Sequence, residues 1–251
     1  MTWPDAPKGP LHPPEVNPRL DGFKPADEQI REDFWLAIEI NQDMLMPLAE
    51  HHTPDLSDSY YVLHDRSATY GHPGDPQILA LHLRRDLGAE TFDFECTGFP
   101  LAAMAQSWLI HRGCPAELIG LDPALGTAPA DEATRALETR LMADGDHYAL
   151  GYSYTRDDPN DMVTVAALRA LDEQSPSPSA FRVLVKEVDL DAWTHTTREG
   201  GFATVEEAVQ WCDDRLSGKA GPLPPVKPTA PLSLPASPPN TTVPRPPGRS
   251  R

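Results

Sequence analysis

The sequence is short of most features that announce a function. Of its 251 residues only three are cysteine, Cys96, Cys114 and Cys212. That set is too small and odd-numbered for a disulfide framework and is wrongly spaced for a zinc ribbon. It fits a reducing compartment, so a cytoplasmic protein is expected. No run of about 18 apolar residues occurs, which excludes a membrane-spanning helix. The opening Met1-Thr2-Trp3-Pro4-Asp5 has no basic stretch leading into an apolar one, so no signal peptide is read. There is no Gly-rich phosphate loop, G-x-S-x-G elbow, H-E-x-x-H or C-x-x-C pair. Basic side chains are also scarce: 21 Lys and Arg stand against 38 Asp and Glu, for a net charge of −17. Residues 219–251 carry five bases (Lys219, Lys227, Arg245, Arg249, Arg251) and no acid, which leaves −22 on residues 1–218. A body that acidic repels phosphate, so nucleic acid is not expected on it, whereas a basic protein partner would be attracted.

What is abundant is proline, 29 residues, concentrated at the two ends. Residues 1–25 read as a Pro-rich extended arm in which Trp3, Leu20 and Phe23 are apolar enough to dock. Residues 219–251, with eleven prolines, cannot bury enough apolar surface to offset their ordering entropy and predict a disordered tail. The excess of Arg over Lys, with plentiful Ala and Pro, fits a GC-rich bacterial genome.

Between the ends, the pattern predicts α+β structure. Asp27 is an N-cap for a helix carrying Ile30, Phe34, Ile38, Leu45 and Leu48 at helical spacing, ended or bent by Pro47. His51–Asp55 reads as a loop, Tyr60–His64 as a strand, Gly71–Pro76 as a turn, and Gln77–Arg84 and Thr91–Thr97 as strands. A helix follows Pro100. After a Gly/Pro/Ala-rich linker, Asp131 caps a helix reaching Ala143. Strands follow at His147–Tyr154, Met162–Leu171 and Phe181–Val188, with a short one at Ala192–Thr196 and a loop at Ser175–Ser179. Thr204 and Glu207 form a capping box for the last helix.

The chain also echoes itself. At an offset of 103, Gly98, Phe99, Ala105, Trp108 and Arg112 meet Gly201, Phe202, Ala208, Trp211 and Arg215. Pro25–Glu28 recurs as Pro129–Glu132 at an offset of 104. Between these anchors the register shifts, pairing Tyr61–Leu63 with Tyr148–Leu150 and Asp75–Asp86 with Asp161–Asp172. The expected fold is therefore two tandem helix–three-strand–helix units forming a pseudo-symmetric pair, with Pro-rich disordered termini. The divisions are an arm at 1–25, a first unit at 26–113, a linker at 114–128, a second unit at 129–218 and a tail at 219–251. Gly98 and Gly201 are expected to permit a tight strand-to-helix turn. Trp108 and Trp211 fall two and a half helical turns after the phenylalanines, on the opposite side.

Candidate chemistry is thin. His51, His52 and Asp55 sit too close in sequence to converge on a metal and read as a solvated loop. Asp157, Asp158, Asn160 and Asp161 resemble the start of a calcium loop, lack its glycine and terminal Glu, and read as a hairpin turn. Tyr148, Tyr152 and Tyr154 form a strand-period stripe expected to be a core or protein-binding face. His64, Asp65, His82 and His195 are the groups from which a catalytic pair would be assembled, and nothing selects among them. The tail has PxxP spacing at Pro225/Pro228 and Pro244/Pro247. Arg198–Trp211 is similar to small three-strands-plus-helix modules such as the arm-binding domains of phage-type integrases. Those are basic, whereas residues 181–216 hold four bases and eight acids, so DNA binding is not carried over.

The sequence thus assigns no catalytic, cofactor-binding or metal residue and leaves enzymatic activity open. The leading expectation is a non-enzymatic acidic interaction module, in the manner of an antitoxin, immunity or DNA-mimic protein. The alternatives are an enzyme or small-ligand binder with its site between the units, and nucleic-acid binding through the basic tail.

Overall fold

A computed structural model describes residues 14–68, 75–144, 147–171 and 179–226. Asp27 caps the first helix as predicted, its carboxylate accepting from the Ile30 amide at 2.9 Å, and Asp131 does the same for Thr134 at 2.8 Å. Helix α1 (Glu28–Ala37) is shorter than its apolar spacing suggests. A 3₁₀ segment covers Glu39–Met44, and Leu45–His52 is a strand, β2. Pro47 is tolerated there because β2 is an edge strand with a bulge between Pro47 and Ala49, where a missing N–H breaks no ladder. His51 and His52 accordingly lie in a strand, correcting the loop reading. β3 (Asp58–Asp65), β4 (Ile78–Asp86) and β5 (Thr91–Phe99) complete an antiparallel meander, and α2 (Ala102–Ile110) follows. A two-residue strand, β1 (Lys24–Pro25), pairs in parallel with the start of β5 and gives the sheet order β1-β5-β4-β3-β2.

The second unit repeats this plan. β6 (Ala128–Pro129), α3 (Glu132–Asp144), β7 (Tyr148–Asp158), β8 (Asp161–Ala170), β9 (Phe181–Asp189), β10 (Thr194–Phe202) and α4 (Val205–Leu216) build a second sheet in the order β6-β10-β9-β8-β7. Each unit therefore holds four long strands where three were expected. Placing β2 opposite β7 removes the supposed register shift, and an offset of 103 runs from β2 to the last helix. Both edge strands bulge at the equivalent place, Pro47/Ala49 and Leu150/Tyr152. Both β-turns before the last strand use an aspartate to accept an amide three residues on, Asp86 from Ala89 and Asp189 from Ala192, each at 2.9 Å. The residues ending those turns, Glu90 and Trp193, both adopt φ of 53°.

The repeated glycines do not form the strand-to-helix turn expected of them. Gly98 and Gly201 lie inside strands, and neither is among the residues with positive φ. A Cβ on Gly98 would stand 3.4 Å from Pro76, and one on Gly201 would stand 2.2 Å from Ser179 Oγ. Close passage of the chain entering the neighbouring strand excludes a side chain at Gly201, whereas a methyl at Gly98 would make an ordinary contact with Pro76. Phe99 and Phe202 are strand residues, so helical angles do not relate them to the tryptophans. Instead each phenylalanine packs on the tryptophan of its own unit: Phe99–Trp108 centroids are 6.3 Å apart and Phe202–Trp211 6.5 Å.

The two sheets stay separate, and side-chain clusters give their stacking. α1 covers one face of the first sheet through Phe34 and Ile38, over Tyr61, Leu63, Leu81 and Leu83. Ala105, Trp108 and Leu109 of α2 cover the other face, over Tyr60, Val62 and Ala80. The opposite side of α2, with Leu101, Ala103 and Met104, packs on Leu137 and Leu141 of α3 and on Ala166, Leu168 and Leu184 of the second sheet. α4 covers the far face of that sheet. The order is α1, sheet, α2 with α3, sheet, α4. The C-terminal-helix side of one unit meets the N-terminal-helix side of the next. That is a head-to-tail arrangement of the two units, with no two-fold axis relating them. Seven consecutive residues of α2, Ala103–Leu109, are buried, as a helix with sheets on two sides requires.

The connecting segments are partly built in. In the linker Cys114 and Ile119 are buried, and Gln106 Nε2 donates to Ile119 O at 2.7 Å. In the arm, Val16 is buried and Leu20 and Phe23 pack on the core as expected, while Arg85 donates to Arg19 O, Leu56 O and Ser59 Oγ. After α4 the chain returns along β10, where Gly201 N donates to Pro224 O at 3.1 Å and Trp211 Nε1 to Gly221 O at 3.1 Å. Trp3, the turn residues 71–74, the loop residues 175–178 and the tail from 227 on, with the second proline of one PxxP pair and both of the other, lie outside the described residues.

Candidate functional site in the inter-unit junction

The duplication supplies an internal control. In the first unit Phe34 of α1 packs edge-on against Phe92 and Phe94 of β5, centroids 5.1 Å away in both cases, with Leu83 and Tyr61 alongside. The same five positions in the second unit are Glu138, His195, Thr197, Lys186 and Thr164. An aromatic core has been exchanged for ionisable and hydroxyl groups at matching positions of the two units. Fold alone does not call for this, since burying charge costs free energy unless it is compensated.

Part of the set is compensated. Glu138 Oε1 accepts from His195 Nε2 at 2.8 Å and from Thr197 Oγ1 at 2.9 Å, the polar counterparts of the two phenylalanine contacts. His195 Nδ1 meets Thr127 Oγ1 at 2.8 Å, so both ring nitrogens are used, and Thr197 N donates to Thr134 Oγ1 at 3.2 Å. Burial pushes the Glu138 carboxyl up, but the His195 and Thr197 bonds and the Lys186 charge outweigh it and hold the group below the ordinary range, as a carboxylate.

Lys186 stands apart. It projects from β9 on the α3 side, in register with Thr197 of β10 and Thr164 of β8, whose Oγ1 lies 3.1 Å from Thr155 Oγ1 of β7. Among the described residues its ammonium has neither a hydrogen bond nor an ion pair. Burial lowers its pKa, with the Glu138 charge opposing. Across the junction, His64 of β3 comes within electrostatic reach of Lys186 and Asp157. Its pKa is lowered chiefly by burial, with Asp157 working against that and Lys186 with it. The group is not sealed: Asp157 is exposed, and the Glu138 side chain keeps 27% of its surface.

The first sheet answers with polar groups on its own junction side. His82 and Tyr60 replace Val185 and Val163 of the second unit. Their rings stack at 4.5 Å, and His82 Nε2 donates to Asp58 Oδ1 at 2.9 Å, which leaves the buried Nδ1 without a partner among the described residues. Burial, helped by Asp58, pushes the Tyr60 hydroxyl up to about 12. The outward sides of both sheets, under α1 and under α4, keep apolar cores.

Of the residues weighed from sequence, His64 and His195 belong to the junction set, and His82 lies on the junction side of the first sheet. They are not paired with one another: His195 is bonded to Glu138 and His82 to Asp58, while Asp65 turns locally onto Ser67. Asp157–Asp161 forms a tight hairpin in which Asp158 accepts from Asn160 N. The bulge in β7 splits the tyrosine stripe, leaving Tyr148 on the α3 side under the Arg182 guanidinium and Tyr152 and Tyr154 on the α4 side. No cluster of three or more metal-ligating side chains occurs among the described residues. Lys186, Glu138 and Thr197 went unnoticed in the sequence. A repeat aligned at a constant offset of 103 to 104 exposes them, as polar residues opposite Leu83, Phe34 and Phe94. Comparison with protein-family models, curated proteins and solved structures returns no match.

Proposed function

We propose that the protein binds a small anionic ligand between its two units, with Lys186 receiving the negative charge. The observation that carries this reading is the exchange of Phe34, Phe92, Phe94 and Leu83 for Glu138, His195, Thr197 and Lys186 at equivalent positions. Glu138, His195 and Thr197 satisfy one another, whereas Lys186 has no protein partner among the described residues. An incoming carboxylate or phosphate would supply one, with Thr164 on the neighbouring strand and His64 within electrostatic reach. An anion beside Lys186 favours its protonated form, so affinity falls as pH rises through the lowered pKa of that lysine. Calorimetry with inorganic phosphate, acetate and succinate, in buffers of differing ionisation heat, tests this on the wild type and Lys186→Leu. Binding heat in the wild type alone, weakening in alkaline buffer, is expected. A panel that leaves the two proteins indistinguishable overturns the reading.

A second reading is the acidic interaction module, supported by the outward helices. α1 presents Glu28, Glu32 and Asp33 to solvent against Arg31, and α4 presents Glu206, Glu207 and Asp213. Salt-sensitive retention of polylysine is its expected signature, and indifference to polylysine at low salt counts against it.

A further inference from the structure

The stacking order leaves the outer side of α1 without a helix over it, while Val16 and Ile38 close the sheet face beneath. In the second unit, α3 is overlaid by α2, whose Leu101, Ala103 and Met104 contact Leu137 and Leu141. The matching positions on α1 are Asp33 and Ala37. There, Ile30, Asp33, Leu36, Ala37, Phe94 and Cys96 line an open groove of about 410 Å³ between α1 and β5. Trp35, Leu36 and Ile40 stand exposed on α1 and just beyond its end, at 49%, 59% and 48%. A second copy of this chain is a poor occupant. Its helix equivalent to α2 is α4, and the residues matching Leu101, Ala103 and Met104 are Thr204, Glu206 and Glu207. Those acids would meet Glu28, Glu32, Asp33 and Glu39, which are all exposed. α4 closes the stack as a polar cap does in a repeat protein, and α1 does not.

We infer that the α1 groove docks an amphipathic helix of another protein, one with an α2-like Leu/Ala/Met stripe and basic flanks. The occupant's apolar stripe is taken from the way α2 meets Leu137 and Leu141, the positions of Asp33 and Ala37, and the sign of its flanks from the acids around α1. The flank charge rests on the interaction reading above; the groove does not.

The test uses the full chain and a fluorescein-labelled peptide with the sequence Leu101–Arg112 flanked by lysines, beside a version flanked by glutamates. Anisotropy should show saturable binding of the lysine-flanked peptide only. Leu36→Glu, at a side chain exposed enough to leave folding intact, should weaken it about ten-fold or more, or about 1.4 kcal/mol. Cys96 lines the groove, whereas Cys114 and Cys212 are 3% and 0% exposed, so bound peptide should also slow alkylation of Cys96. Equal binding by wild type and Leu36→Glu, or unprotected Cys96, overturns the groove. If the peptide fails while polylysine is still retained, the acidic reading survives without it. If both fail, neither stands.

Discussion

Replacing Lys186 by leucine, the residue at the matching position of the first unit, should stabilise the protein. Leu83 is fully buried, with 0% exposure, at the matching position, whereas Lys186 is half-buried. Burying a leucine side chain contributes about 1.5–3 kcal/mol relative to exposure. The lysine stem already covers some of that area, so a net gain of about 1–2 kcal/mol is expected. For a chain of this size that corresponds to a rise in Tm of about 2–8 °C. The sign has a second check in pH. The folded pKa of Lys186 lies below its ordinary 10.5, so the unfolded chain binds the proton more tightly than the folded one. Wild-type stability therefore climbs as pH rises through the folded pKa toward 10.5, and the leucine variant lacks that climb. The advantage of the variant should be widest near neutrality and should narrow in alkaline buffer. Paired thermal melts at pH 7 and at pH 10 measure both quantities. A fall in Tm at pH 7 would refute the reasoning, because it would make Lys186 a structural counter-ion for Glu138. A site kept at a cost to the fold is the signature of function.

Three further outcomes follow from the same geometry. Glu138→Ala strands the His195 and Thr197 donors and should cost about 2–4 kcal/mol by denaturant titration, the opposite sign to Lys186→Leu. Gly201→Ala sets a methyl against Ser179 and the returning chain at Val226, whose Cα would be 3.1 Å away. It should cost about 1–3 kcal/mol and alter Trp211 fluorescence, while Gly98→Ala, with 3.4 Å to Pro76, should cost less. His64, held low chiefly by burial, should titrate below 6.5 by NMR, and its contribution to stability should be complete above that pH and fade as acid protonates it.

The strands β3, β4, β5, β8 and β9 could be read from alternation and β-branched content, and both N-caps from a single aspartate. β2 could not. Ile38, Leu45 and Leu48 fit a helical spacing as well as a strand with a bulge, and Pro47 looked like a helix stop when its actual setting is a bulged edge. Losing β2 displaced the repeat register across the middle of each unit. That displacement concealed the site, because Lys186 is conspicuous only opposite Leu83, and Glu138 only opposite Phe34. The head-to-tail stacking was out of reach for another reason. It depends on which side of each sheet is left to be covered, and that is a property of both units together.

The burial of α2 from two directions has a consequence for synthesis. One side of the helix is covered by strands that precede it in the chain. The other meets Leu137 and Leu141 of α3 first and is completed only with Leu184, 74 residues after α2 ends. At about 5–20 residues per second the ribosome needs about 4–15 s to deliver it, during which a folded first unit displays Leu101, Ala103 and Met104 incompletely covered. The nascent chain passes through a sticky stage that the finished protein conceals, and a truncation after the linker would make that stage permanent.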